Sequence, residues 1–494
     1  MNFLRTRRDS PRFKWWVLSC TSLGMFLATV NSGTLIIALP DLERSLHTTL
    51  LQLVWVILVY MIVSTVFVLS AGRLSDLFGR KNAYVLGFVA FSLASLGAGF
   101  AGSGTQLILW RVVQGLGAAF LFANSSALVT DAFPKNELGL AMGTNTMIAA
   151  VGLVIGPVLG GALVLISWSW VFWFNVPLGL AGAAWAWLVL EEMSGRGKER
   201  GLDLLGTATF VVGLSGLVLA LSKGALTGWN DPLVIGGFVI ALVLLPLFVV
   251  IERRGRSPML DLTLFQNRMF TAAGAASFIA GLSRSALMFL FVFYFQGPQG
   301  QSPIMAGLEL APLAIGMLVA SPLAGIAADR HGSRGLAAAG MVVVAVGLAG
   351  MTTLEASTPY VWSAIWLGLA GIGMGMFNSP NTAAMMAVVP VHRRGIAAGT
   401  RMMLQNTGAV VSIAFVLALV TAAVPKTVLF KIMSGLASGL SSEQLSPFIS
   451  NLHTAFWVLS AISLVGAGVS MLRPAQLRTR DLTAPAGVAV EEAA

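Results

Sequence analysis

Fourteen apolar runs, each long enough to cross a bilayer, constrain this chain more than any other feature. They fall near residues 16–39, 51–71, 82–102, 107–130, 141–163, 173–190, 204–222, 233–251, 271–295, 305–327, 336–354, 361–388, 396–424 and 453–472. A helix needs about 20 apolar residues to span the hydrocarbon core, where only helices or closed barrels satisfy their backbone groups. Runs this continuous are not barrel strands, which alternate apolar and polar residues. The expected fold is an all-α integral membrane protein with 14 transmembrane helices. Only 10% of the residues are charged, against about 25% in a soluble domain. That excludes a soluble enzyme, a disordered chain and a nucleic-acid binder. The net charge of +10 does not indicate nucleic acid either, because the basic residues sit in short clusters between the apolar runs.

Those clusters orient the chain. With the N-terminus in the cytoplasm, the inner connections carry 23 Lys and Arg and the outer ones four, while Arg111, Arg284 and Arg401 fall inside spans. So strong an asymmetry over short loops is a positive-inside signal, and it places both termini in the cytoplasm. Residues 1–39 begin like a signal peptide, but the stretch Trp16–Leu39 is too long for one and no cleavage pattern follows. It reads as the first span. The single Cys20 lies within it, and His47, His331, His392 and His453 are scattered over loops and helix ends. There is thus no disulfide framework, and neither a metal site nor a cofactor is expected.

An internal repeat is legible. The connection GRLSDLFGRK (72–81) after the second span has a degenerate counterpart, GIAADRHGSR (325–334), starting 253 positions later. The second copy arrives about 70 residues late for two adjoining six-helix units, an excess that fits two added spans, 204–222 and 233–251. The expected organisation is six plus two plus six: a cytoplasmic segment 1–15, a bundle 16–191, an inserted pair 192–257, a second bundle 258–472 and a polar tail 473–494.

At this point the chain resembles the major facilitator superfamily, and more narrowly its fourteen-span branch of drug:proton antiporters. The 72–81 loop matches G-x-L-x-D-x-x-G-R-[RK], and LILWRVVQGLGAAF (107–120) is similar to the family's R-x-x-Q-G-x-G-A. GLVIGPVLGG (152–161) is like the exporters' G-x-x-x-G-P-x-x-G-G. WSWVFWFNVPLG (168–179, with Ser169 where Arg is usual) and PMLDLTLFQNRMF (258–270) resemble stretches of the fourteen-span group. The resemblance covers almost the whole chain.

It implies roles for particular residues. Gly72, Asp76, Gly79, Arg80 and Lys81 would form a cytoplasmic gate, with Asp76 paired to Arg80 and latching the two halves. Asp329 with Arg330 or Arg334 would be its degenerate copy. An arginine at Arg111 costs about 2.5–3.5 kcal/mol at a helix centre on insertion scales, so it should face a cavity or a partner, with Gln114 a turn on. The alternative is that it snorkels to the outer interface. Gly152, Gly156 and Gly160, with Gly161 and the kink-permitting Pro157, make a close-packing face along the interface between halves. In the first span, relatives read L-D-x-T-I-V-N-V-A-L-P, and Asn31 stands where that aspartate would carry a proton. An amide does not titrate. Glu309, about five residues into its span, is the remaining candidate proton carrier, with a water-facing interfacial glutamate as the alternative. Arg284 would be its partner or would hold an anionic substrate; Arg401 and Asp131 lie nearer the cytoplasmic ends. Within 425–452, Val428, Leu429, Ile432, Met433 and Leu436 share a helical face suited to the membrane surface.

The function expected is a secondary active exporter of hydrophobic or amphipathic compounds, driven by proton antiport through alternating access. A lipid or secreted-metabolite exporter of the same fold is the alternative. A receptor or membrane enzyme ranks well behind, since no P-loop, nucleophile–base set or metal cluster is present. The expected partners are a small amphipathic substrate, protons and the lipid bilayer, with no nucleic acid. The chain is expected to be a monomer in the plasma membrane, with a periplasmic adaptor an open option.

Overall fold

The computed structural model describes residues 12–133, 138–192, 203–255, 260–389, 394–422, 424–433 and 440–474. The helices are α1 (Phe13–Leu46), α2 (Leu50–Phe78), α3 (Arg80–Gly99), α4 (Gly104–Ala132), α5 (Leu138–Val164), α6 (Trp170–Trp173), α7 (Asn175–Val189), α8 (Leu204–Thr227) and α9 (Pro232–Arg254). After a short 3-10 turn come α10 (Arg268–Gln296), α11 (Pro303–Glu309), α12 (Ala311–His331), α13 (Ser333–Met351), α14 (Tyr360–Ala387), α15 (Arg394–Thr421), α16 (Lys426–Met433) and α17 (Ser442–Met471). Among the described residues thirteen helical stretches are long and apolar enough to span, α6 with α7 and α11 with α12 each making one. Helix α5, with 27 residues and hence about 40 Å long, completes fourteen.

Local chemistry sets the helix ends. Thr49 and Gln52 form a capping box at the start of α2, and Ser103 accepts from the Gln106 N–H at the start of α4. Two boundaries differ from expectation. Helix α1 runs through Pro40 to Leu46. Helix α17 begins at Ser442, well before 453, because Ser441 and Gln444 make a second capping box and Leu445, Phe448, Ile449 and Leu452 are buried against the protein. The repeat is written in the backbone as well. Gly79 joins α2 to α3 at φ +97°, and Gly332 joins α12 to α13 at φ +85°. Only glycine takes such angles without strain.

The first six spans pack mainly among themselves, α1 on α5, α2 on α4, and α3 on α4 and α7. The last six do the same, α12 and α13 on α14, α10 on α15, and α13 on α17. Two seams join the sets, α5 against α11 and α12, and α2 against α15. The largest apolar cluster runs across both sets and from one side to the other, from Leu39, Leu42, Phe291, Phe295, Val420 and Phe456 to Leu69, Phe248, Leu260 and Met403. Smaller clusters each stay within one set, as with Phe13, Tyr84 and Leu190, or Phe270, Met385 and Ala397. The two sets are therefore joined by close packing, a main driving term for helix association inside a bilayer.

The two inserted helices differ in their surroundings. Helix α9 packs on α8 and is otherwise largely exposed, but α8 lies against both α2 and α15. Ser70 and Thr207 share a hydrogen bond at 3.1 Å, and Thr421 donates to the Ala225 carbonyl at 3.1 Å. The helix thus bridges the seam. Helix α16 corrects an expectation: Val428, Leu429 and Ile432 are buried in the shared core, so that apolar face covers protein instead of lipid. Leu436 lies outside the described residues.

Candidate functional site

Helices α1, α2, α3 and α4 bring Asn31, Arg111 and Gln114 into one buried network. Arg111 is 1% exposed, and Asn31 and Gln114 are fully buried. Its Nε donates to the Val56 carbonyl at 2.9 Å, and its Nη1 to Asn31 Oδ1 at 2.6 Å and Gln114 Oε1 at 2.5 Å. Gln114 in turn donates to Ser95 Oγ at 2.7 Å. The Tyr60 ring lies 4.1 Å beneath the guanidinium, within cation–π range. Arg111 therefore neither snorkels outward nor lines open space. All its partners among the described residues are neutral, and Asn31 Nδ2 is left buried with no partner. Sequence reasoning missed Tyr60, Ser95 and the Val56 carbonyl, since neither a ring nor a backbone oxygen has a pattern that marks it as an arginine's partner.

At the cytoplasmic loop, Arg80 has partners that sequence reasoning did not name. Arg80 Nη1 pairs with Asp131 at the end of α4, 2.5 Å away, and its backbone N–H donates to Glu192 Oε1 at 2.9 Å. Asp131 belongs to α4 and Glu192 follows α7, so the Arg80–Asp131 ion pair lies within the first bundle. Lys81 sits 5.0 Å from the Trp187 ring. Gly72 is half-buried in α2, and the Asp76 side chain lies outside the described residues, as does that of Asp329. At Gly79 a Cβ would run into the Glu192 carboxylate, so the glycine serves that close approach as well as the positive φ.

The α5 glycines face inward to their own bundle. Gly156 abuts Gly33 and the Val30 carbonyl, Gly160 the Thr34 backbone, and Gly152 Thr29 and Phe26, all on α1. The contact with the second set comes from Pro157, whose backbone lies directly against Gly307 of α11. One helix thus serves two interfaces, the glycine stripe within a bundle and the proline between bundles. Gly161 is buried beside them.

Glu309 and Arg284 are not partners. Glu309 ends α11 at 6% exposure, near Tyr294 and Tyr360, with Tyr360 donating to its backbone carbonyl at 3.3 Å and its Oε2 buried without a partner. Arg284 lines a small crevice of about 10 Å³ between α10, α13, α14 and α15, room for about one water. Gln405, Asn378 and Ser283 are its polar walls, and Met341, Met374 and Phe377 are among its apolar ones. Arg401 donates to Gln405 Oε1 at 3.2 Å, and its charge and that of Arg284 repel each other. Gln405 and Asn378 went unremarked in the sequence, though amides inside apolar runs are a readable signal. Arg473 was assigned to the polar tail. It is 1% exposed, donates to Asn381 Oδ1 and Ser470 Oγ, and burial pushes its guanidinium down to about 10.

Two bundles of membrane-spanning helices packed around buried polar residues are the architecture of a membrane transporter for small molecules. The chain belongs to the Major Facilitator Superfamily, whose model matches residues 21–266 and 273–487. It is similar to the multidrug resistance protein Stp of Mycobacterium tuberculosis, 35% identical over 77% of this chain and 71% of that one. It is also 26% identical to the tetracenomycin C resistance and export protein of Streptomyces glaucescens, over 96% and 95% of the two chains. Among solved structures, a bacterial homologue of the human lysosomal transporter Spinster, in an inward-facing unoccupied conformation, superposes with a TM-score of 0.67 at 16% identity. That comparison covers 94% of this chain and 98% of the other.

Proposed function

We propose that the protein exports hydrophobic or amphipathic compounds from the cytoplasm as a multidrug-type secondary transporter. The observation that carries this reading is the similarity, over most of the chain, to resistance and export proteins. Alternating access would rock residues 16–191 against 258–472, with 192–257 riding on the α2–α15 seam and 1–15 and 473–494 remaining cytoplasmic. A monomer suffices for this cycle, and a periplasmic adaptor would act only after release.

Proton antiport is the coupling proposed. Asn31 does not titrate, so Glu309, buried with one oxygen unpartnered, is the proposed proton site. The test is uptake into everted vesicles under an imposed pH gradient, comparing the parent with Glu309→Gln. Gradient-driven uptake abolished in the variant is the expected result. Uptake that ignores both gradient and substitution would eliminate proton antiport. The second reading, export of lipids or secreted metabolites, is favoured by the absence of an acid beside Arg284 among the described residues.

A further inference from the structure

The inserted helices α8 and α9 make one stiff hairpin. Gly216 and Gly237 bring the two backbones into direct contact, an approach that small residues permit between helices in a bilayer. The Phe210 and Phe248 rings stack at 4.8 Å, and Lys223 pairs with Asp231 at 2.6 Å where the chain turns back.

The two bundles hold this hairpin unequally. The second bundle grips it on both sides of the membrane. At the end of α9, the buried Glu252 carboxylate accepts from the Leu260 N–H at 2.8 Å. Leu260 leads into the 3-10 turn (Leu262–Gln266), which Asp261 caps and which Thr271 of α10 fastens by donating to the Phe265 carbonyl at 2.6 Å. At the far end of α8, Thr421, the last residue of α15, donates to the Ala225 carbonyl at 3.1 Å. The first bundle bonds the hairpin near the start of α8, where the hydroxyls of Ser70 on α2 and Thr207 are 3.1 Å apart. The Thr207 hydroxyl already donates to the Asp203 carbonyl at 2.7 Å, so Ser70 is the donor of that pair.

Thr207 and Ala225 stand about 27 Å apart along the helix axis. A rigid helix bonded to both bundles at that separation holds them together, so rocking requires one bond to part. Losing the Glu252 bond would strand the buried Leu260 N–H without its acceptor, which is costly inside a protein. A single hydroxyl pair between membrane helices is a weak tie. We infer that the α8–α9 hairpin travels with the second bundle, and that the Ser70–Thr207 contact is a sliding joint that parts and re-forms in each cycle. The joint has meaning only within the alternating-access reading, on which it rests, and it names the bundle that the inserted pair follows.

The test is double electron–electron resonance on the full-length protein in phosphatidylcholine nanodiscs, in a Cys20→Ala background. Spin labels go in pairs on Phe78→Cys of α2, Leu205→Cys of α8 and Ile396→Cys of α15, all exposed positions. The Phe78–Ile396 and Phe78–Leu205 pairs should show the same two distance populations, and the Leu205–Ile396 pair a single one. Ser70→Ala should raise the longer Phe78–Leu205 population about threefold, the effect of one hydrogen bond between membrane helices. A split Leu205–Ile396 distribution beside a single Phe78–Leu205 one would overturn the inference and give the hairpin to the first bundle. One population in all three pairs, or two in all three, would overturn it as well, and an unchanged ratio in Ser70→Ala would remove the hydroxyl pair as the joint. The three label pairs leave Ser70 and Thr207 in place, so they decide the matter even where Ser70→Ala fails to fold. The expected pattern in a protein without gradient-driven uptake would keep the hairpin in the second bundle and defeat antiport. Gradient-driven uptake with the opposite pattern would do the reverse.

Discussion

Asn31 sits where the relatives' aspartate would, and its Oδ1 accepts from Arg111 at 2.6 Å. Its amide nitrogen, buried on the other side, has no acceptor. A carboxylate at this position would turn a neutral contact into an ion pair and remove the orphaned donor in one step. Asn31→Asp is therefore expected to stabilise the protein by about 1–3 kcal/mol, the range for a hydrogen bond between charged groups and for relief of a buried unsatisfied one. Thermal unfolding followed by size-exclusion fluorescence would show a melting temperature several degrees higher. An unchanged or lower value would mean that Arg111 is already satisfied as it stands.

At the scale of elements, glycine has opposite meanings in two helices. On α5, a Cβ at Gly156 would lie 2.9 Å from Gly33 Cα and 3.0 Å from the Val30 carbonyl, backbone atoms that cannot swing aside. On α9, a Cβ at Gly236 meets nothing within 4 Å. Gly156→Ala should lower stability and transport by forcing α1 and α5 apart. Gly236→Ala should raise stability by about 0.5–1 kcal/mol through helix propensity. Both changes are read from the same melting curves, and equal shifts would contradict the assignment of the stripe to helix packing. At the outer tip of the α8–α9 hairpin, Asp231 accepts from Lys223 at 2.6 Å. That hydrogen bond, followed by one from the Leu233 N–H, holds its carboxyl below the usual 3.8. The pair contributes above that ordinary value and is lost as pH falls through the lowered one. The hairpin should therefore stay paired throughout the neutral and mildly acidic range.

At the scale of the whole molecule, the seam between α2 and α15 must open for the two bundles to rock. Leu69 meets Gly399 there, toward the cytoplasmic ends, at 2.8 Å from where a Cβ would be. In a Cys20→Ala background, cross-linking Leu69→Cys to Gly399→Cys is expected to abolish transport, with reduction restoring it. A cross-linked protein that still transports would mean the bundles do not separate along this line. Helix α8, bonded to α2 through Thr207 and to α15 through Ala225, must follow one bundle and slip against the other.

Apolar run length and the sidedness of Lys and Arg are local properties of the chain. They set the helix count and the expected orientation, because a bilayer forces every spanning backbone to satisfy itself and short basic loops stay inside. The join at Gly79 and Gly332 was legible for the same reason, since turn chemistry is carried by neighbouring residues. The identity of partners was not. That Arg80 would choose Asp131, that the α5 glycines would face α1, and that Glu309 and Arg284 would stand apart all depend on which helices meet and at what height. So does the fate of α16, whose apolar stripe suits lipid or protein equally until a neighbour covers it. Pairing across spans is a matter of packing many weak contacts at once, and only the tertiary structure decides it.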